Sequence, residues 1–160
     1  MLSIRLICVG KLKERFYAEA VAEYAKRLSA FCRLELIELP EERLGENPSD
    51  SEIETALNRE AEQIERKLLK DGTLICLCVE GGQMESEAFA GLLTRTESSG
   101  RPRLSFVIGG SFGLARRLKD RADLRLSMSK MTFPHHLARV MLLEQIYRGF
   151  QIKEGSKYHK

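Results

Sequence analysis

Apolar and polar positions along this chain fall into two alternating kinds of segment. Short, largely apolar runs occupy 4–9, 73–79 and 104–108, as expected for strands covered on both faces of a parallel sheet, and shorter mixed runs at 34–39 and 124–128 also read as strands. The run 73–79 is apolar enough to be a central strand. Between the runs lie segments of helical period. Phe16, Ala20, Tyr24 and Leu28 predict a helix over 13–30, and Ile53, Leu57, Ala61, Ile64 and Leu68 predict a longer one ending at Asp71-Gly72. Ser51 and Glu54 have the spacing of a capping box for that second helix. Further helices are predicted over 86–94 and 114–122. Pro134 stands where a final helix, running to about 150, would have its first residue. The stretches 41–50 and 129–133 have no period, and 151–160 is a polar tail. Strands alternating with helices predict an α/β fold with a mostly parallel sheet flanked by helices. With 160 residues, no linker and no internal repeat, the chain reads as a single domain, 1–160.

Composition narrows the function classes. A hydrophobic share of 43% with 31% charged residues is that of a globular, water-facing protein. The apolar start at 4–9 is interrupted by Arg5 and has no small-residue cleavage site, so it reads as a strand and not as a targeting signal. A cytoplasmic, membrane-free protein is expected. Cysteines stand at 8, 32, 76 and 78 and histidines at 135, 136 and 159. No Cys-x-x-Cys pair is present, so reduced buried thiols are expected and no metal site. The net charge of +3 is unevenly spread. From Arg116 to Lys160 there are 11 Lys and Arg against 4 Asp and Glu, while residues 1–115 hold 15 against 19. The C-terminal third therefore has the charge to face an anionic partner.

Three stretches could carry chemistry. Gly109, Gly110 and Gly113 sit at a strand-to-helix turn, where a ligand can approach the backbone and a helix start offers free N–H donors. The spacing is neither a dinucleotide fingerprint nor a phosphate loop, and a tight turn without a ligand is the plainer reading. The loop Met128, Ser129, Lys130, Met131, Thr132 and Phe133 is mixed in polarity and could surround a purine ring, or simply pack into the core. The final helix is apolar on most of its circumference, so it must be buried within the domain or against a second subunit. Beyond it, Lys153, Lys157, Tyr158, His159 and Lys160 set cations beside an aromatic ring, a combination that holds phosphates and stacks on a base. A frayed chain end is the alternative.

Taken together, Val9-Gly10-Lys11-Leu12-Lys13, the segment from Val107 through Gly109-Gly110-Ser111 to Gly113-Leu114, the run from Ser127 through Ser129-Lys130-Met131-Thr132-Phe133-Pro134-His135, Glu144-Gln145-x-Tyr147-Arg148 and Tyr158-His159-Lys160 form a recognisable series. In order, spacing and total length the chain resembles the RlmH-type ribosomal RNA large-subunit methyltransferases of the SPOUT class. The resemblance implies a C-terminal part, about 73–160, threaded into a trefoil knot that binds S-adenosyl-L-methionine. It implies that Leu77, Gly109, Gly110 and the loop from Met128 to Phe133 hold this cofactor. It implies a homodimer in which each active site is completed by the other subunit. The substrate implied is the N3 of a pseudouridine in large-subunit ribosomal RNA, methylated on the assembled 70S ribosome. Members of the family carry Lys or Arg at the last position, and here it is Lys160, which pairs with a phosphate without a bidentate fork.

Methyl transfer from a sulfonium is an in-line displacement, and it needs alignment more than a metal. On that basis Tyr158 and His159 are expected to orient the base, His159 or His135 to accept the N3 proton, and Arg148 and Lys160 to hold phosphates. An RNA- or ribosome-binding protein without activity and a nucleotide-binding α/β enzyme are the rival readings. The first would have no need of a cofactor cavity.

Overall fold

A computed structural model describes residues 1–160. Five strands and five helices alternate: β1 Ser3–Val9, α1 Arg15–Leu28, β2 Arg33–Leu39, α2 Asp50–Glu65, β3 Thr73–Gly82, α3 Ser86–Ser98, β4 Arg103–Ile108, α4 Arg116–Arg121, β5 Leu124–Leu126 and α5 His135–Lys153. All strand pairings are parallel, in the order β2-β1-β4-β3-β5. The expected single α/β domain is what forms, with β3 an inner strand as expected, between β4 and β5, and β4 in the middle of the sheet.

Side chains alternate across each strand and sort the core into two layers. Ile4, Leu6 and Cys8 of β1 join Phe106 of β4 on one face, covered by Val21 and Leu28 of α1, Phe89 and Leu93 of α3 and Leu142, Ile146 and Phe150 of α5. Ile7 and Val9 face the other way with Val107 and Cys76, beneath Ala61 and Ile64 of α2 and Leu118 of α4. Burying each such large side chain contributes about 1.5–3 kcal/mol. Cys8, Cys32 and Cys76 are fully buried free thiols and Cys78 is half-buried. Burial pushes the Cys8 and Cys76 thiols up to about 12.

Several boundaries differ from the sequence expectation, each for a local reason. The capping box of α2 is Ser49 with Glu52, not Ser51 with Glu54. Both pairs have the required spacing. The earlier pair satisfies the first N–H groups sooner and puts Asp50 in the first turn, where the helix dipole favours it. Pro134 has ψ 136 and caps α5 from outside, so His135 is the first helical residue. Helix α4 is limited to six residues, because Leu114 and Ala115 are buried in the turn before it. At the other end, α5 runs on to Lys153, and the tail folds back onto it.

Helix α5 is buried where it lies between α1 and α3. One charged residue on this buried side is Arg139, 3% exposed. Its Nη1 donates to Glu38 Oε2 at 2.6 Å and its Nη2 to the carbonyl of Gly10 at 3.1 Å. The guanidinium thus ties the start of α5 to the carboxyl ends of β1 and β2. Burial opposes ionisation of Glu38, but Arg139 and the Leu12 N–H outweigh it and hold the carboxyl below its usual range.

Candidate functional site

Because every strand is parallel, all five end at one edge of the sheet, where open α/β folds bind ligands. A cavity of about 730 Å³ opens there, at the ends of β3, β4 and β5, within the size range of small-molecule sites. Three segments wall it. From β3 come Leu77, Cys78, Val79 and Glu80. Pairing between β3 and β5 breaks between Leu77 and Gly82, both of which register with Leu126. The residues between are thereby released to form a wall. The second segment is the turn Ile108 to Leu114, and the third the loop Met128, Ser129, Met131, Thr132 and Phe133, continuing to His135 and Ala138.

Of the residues expected to hold a cofactor, Leu77, Gly109, Gly110, Met128, Ser129, Met131, Thr132 and Phe133 all line this one cavity. Lys130 sits in the same loop, but is exposed and is not part of the lining. The loop is held in shape by its own serines. Ser127 Oγ donates to the Ser129 carbonyl at 2.9 Å, and the Met131 N–H to Ser129 Oγ at 3.1 Å.

The glycine turn proves tighter than its sequence implies. A Cβ on Gly109 would lie 2.3 Å from the carbonyl oxygen of Gly113, and one on Gly110 would lie 2.6 Å from Glu41 Oε1. The same Glu41 oxygen accepts the Ser111 N–H at 2.8 Å. The turn's own backbone therefore requires glycine at 109, whereas at 110 a Cβ would have to displace the Glu41 carboxylate. The donors expected from a following helix are not adjacent, since α4 starts only at Arg116. Sequence reading missed Glu41, which lies in a polar loop with no period. It also missed Lys119, whose Nζ reaches Glu80 Oε1 at 2.6 Å on the cavity wall.

His135 borders the cavity and packs edge-on against His136, with ring centroids 4.3 Å apart. Burial, followed by the neighbouring His136, lowers its pKa, while Glu41 pulls the other way. The remaining candidates gather elsewhere. Arg148 Nη2 donates to Glu144 Oε1 at 2.5 Å, and the Tyr158 hydroxyl donates to the same oxygen at 3.1 Å. The guanidinium lies 4.9 Å from the Tyr158 ring centroid. Arg148 Nη1 is 3.2 Å from His159 Nδ1, and His159 Nε2 is 2.8 Å from Glu87 Oε1. Burial and then the Glu144 carboxylate push the Tyr158 phenol up to about 12. The tail is thus ordered against α5 and α3, and Lys160 is left exposed at its tip.

The structure consequently forms two clusters. His135 and Arg148 are thirteen residues apart on one helix, about 20 Å along its axis. Between them, beside α5, lies a second hollow of about 430 Å³ lined mainly by apolar residues, among them Tyr24, Met84, Met128, Val140 and Met141.

A family model described as "Predicted SPOUT methyltransferase" matches residues 2–159. The chain belongs to the SPOUT methyltransferase family. It is 45% identical over 159 residues to the ribosomal RNA large subunit methyltransferase H of Streptococcus equi subsp. zooepidemicus, covering 99% of this chain and 100% of that protein. The corresponding protein of Leuconostoc mesenteroides subsp. mesenteroides is 44% identical over the same length. A solved structure described as a probable methylase family protein from Haemophilus influenzae Rd KW20 superposes with TM-score 0.53 over 98% of this chain and 70% of that one. At 13% identity this likeness concerns the fold alone. This SPOUT methyltransferase has no helix long and apolar enough to cross a membrane, and no group of three or more His, Cys, Asp or Glu placed to hold a metal ion.

Proposed function

We propose that this SPOUT methyltransferase methylates N3 of a pseudouridine in large-subunit ribosomal RNA, as a cytoplasmic homodimer using S-adenosyl-L-methionine. The observation that carries the reading is the cavity at the strand ends. It is concave, walled mostly by apolar side chains and edged by backbone polar groups and the hydroxyls of Ser111, Ser129 and Thr132. Such a lining suits a nucleoside with a charged, flexible arm. Leu77, Gly109, Gly110 and the Met128–Phe133 loop would hold it, and residues 73–160 would form the knotted half of the domain. The cofactor, when bound, supplies a methyl group on a sulfonium that leaves sulfur as the bond to N3 forms.

The chain's own residues do the rest. Glu144 fixes Arg148 and Tyr158 in one network, so a base can stack on the phenol ring while the guanidinium and Lys160 meet phosphates. His159 spans Arg148 and Glu87 and orients the base. His135, kept neutral by its surroundings, is free to accept the N3 proton as the nitrogen is alkylated.

Within one chain Arg148 of the tail network and His135 of the cavity lie about 20 Å apart along α5, too far to act on one base. A homodimer in which the tail of one copy meets the cavity of the other would join the two, and the apolar hollow beside α5 offers a face for a second copy to cover. The C-terminal third of the chain, with 11 Lys and Arg against 4 Asp and Glu from Arg116 to Lys160, has the charge to meet ribosomal RNA on an assembled 70S ribosome. Mass spectrometry of nucleosides from treated large-subunit RNA tests the reading. N3-methylpseudouridine is the expected product, and a methyl group on any other base or atom would contradict it.

A further inference from the structure

The segment Gly10 to Tyr17, which joins β1 to α1 and includes the first turn of α1, lies outside the candidate site. It carries Lys11, Lys13, Arg15 and Phe16, all exposed, with Phe16 63% exposed. The Phe16 ring stands in water beside these cations and has no place in the core. The rings continue inward. Phe16 lies 4.4 Å from Tyr17 between centroids, Tyr17 lies 6.1 Å from His136, and His136 lies 4.3 Å from His135 at the cavity. Four rings thus form a track from the surface to the cavity mouth.

We propose that this track binds the single-stranded RNA flanking the nucleotide to be methylated, with bases stacking on Phe16 and Tyr17 and phosphates held by Lys11 and Lys13. This rests on the reading of the chain as an RNA methyltransferase. Charge supports an RNA strand over an apolar protein surface. Arg15 pairs with Glu19, and Glu14 turns towards His136 Nδ1 at 3.6 Å. The ammonium groups of Lys11 and Lys13 enter no such pair. Aromatic rings alternating with cations are how single strands are held without sequence readout. The arrangement also gives the Gly10-Lys11-Leu12-Lys13 motif a role next to the cavity without making it part of the cofactor site.

Steady-state methylation of ribosomes from cells lacking the enzyme tests this with Phe16→Ala, Phe16→Trp and the double variant K11E/K13E. Phe16→Ala and the double variant are expected to raise KM for ribosomes about tenfold. Phe16→Trp is expected to stay near wild type, and binding of S-adenosyl-L-methionine by calorimetry is expected to be unchanged in all three. An active wild type with unaltered KM in these variants would overturn the inference and leave the methyltransferase reading standing. A wild type inactive on ribosomes would overturn both. A loss of dimer in the Phe16→Ala variant, seen by light scattering, would make the patch an interface between copies and also overturn the inference.

Discussion

Glu144 illustrates how single residues set the chemistry of the tail. One of its oxygens accepts from both Arg148 and Tyr158, so it holds the phenol protonated and the guanidinium in place. Glu144→Gln is expected to bring the Tyr158 titration down from about 12, visible in the ultraviolet spectrum, and to reduce turnover at least about tenfold. As the proposed acceptor of the N3 proton, His135 is expected to set the acid side of the pH profile. Because its pKa lies below the ordinary histidine value, the neutral form prevails at pH 7. As pH falls below the ordinary value of about 6.5, the unfolded chain takes up the proton first. The stability and the activity that depend on the neutral ring are then lost as pH drops through the folded value. His135→Gln is expected to shift or remove that acid limb in a pH–rate series. Most of these residues were legible in the sequence, because motifs name residue types and spacing. Glu41 and Arg139 were not. Each acts through a partner about 70 to 130 positions away, and no local pattern reports such a contact.

At the scale of elements, the ends rather than the strands carry the information. The strand cores were readable because a buried parallel strand is continuously apolar. Their order was not, since nothing local distinguishes β4 from β3 as the middle strand. The two Ser-x-x-Glu pairs at the start of α2 could not be told apart by spacing either. Ser49→Ala should cost about 1 kcal/mol in denaturant unfolding, while Ser51→Ala should cost little. Arg139 joins three elements through Glu38 and Gly10. Arg139→Met is expected to destabilise the fold by about 2–3 kcal/mol, below the usual loss for a fully enclosed pair because Glu38 keeps contact with water. The break in β3–β5 pairing after Leu77 turns the end of a strand into a cavity wall, and it also exposes Cys78 to that cavity. Among the four thiols Cys78 should therefore be alkylated fastest, and S-adenosyl-L-methionine should slow the reaction. Equal rates with and without it would place the cofactor elsewhere.

At the scale of the whole molecule, one chain holds two side-chain clusters, thirteen residues apart along α5. The apolar circumference of that helix was visible in the sequence, and the separation of the clusters became visible only once the tail was seen folded back on its own subunit. A dimer that pairs the cavity of one copy with the tail of the other predicts complementation. Thr132→Arg puts a charge into the cavity, and Arg148→Ala breaks the tail. Each alone should be inactive, yet a mixture refolded together should recover part of the wild-type rate through dimers with one intact composite site. The measurement that bears most directly on the central claim is transfer of a radiolabelled methyl group from S-adenosyl-L-methionine to undermethylated ribosomes, free large subunits and naked ribosomal RNA, side by side. Label in large-subunit RNA with assembled 70S ribosomes, and little or none with the separated components, is the predicted result. A folded dimer that binds the cofactor but labels none of the three would contradict it.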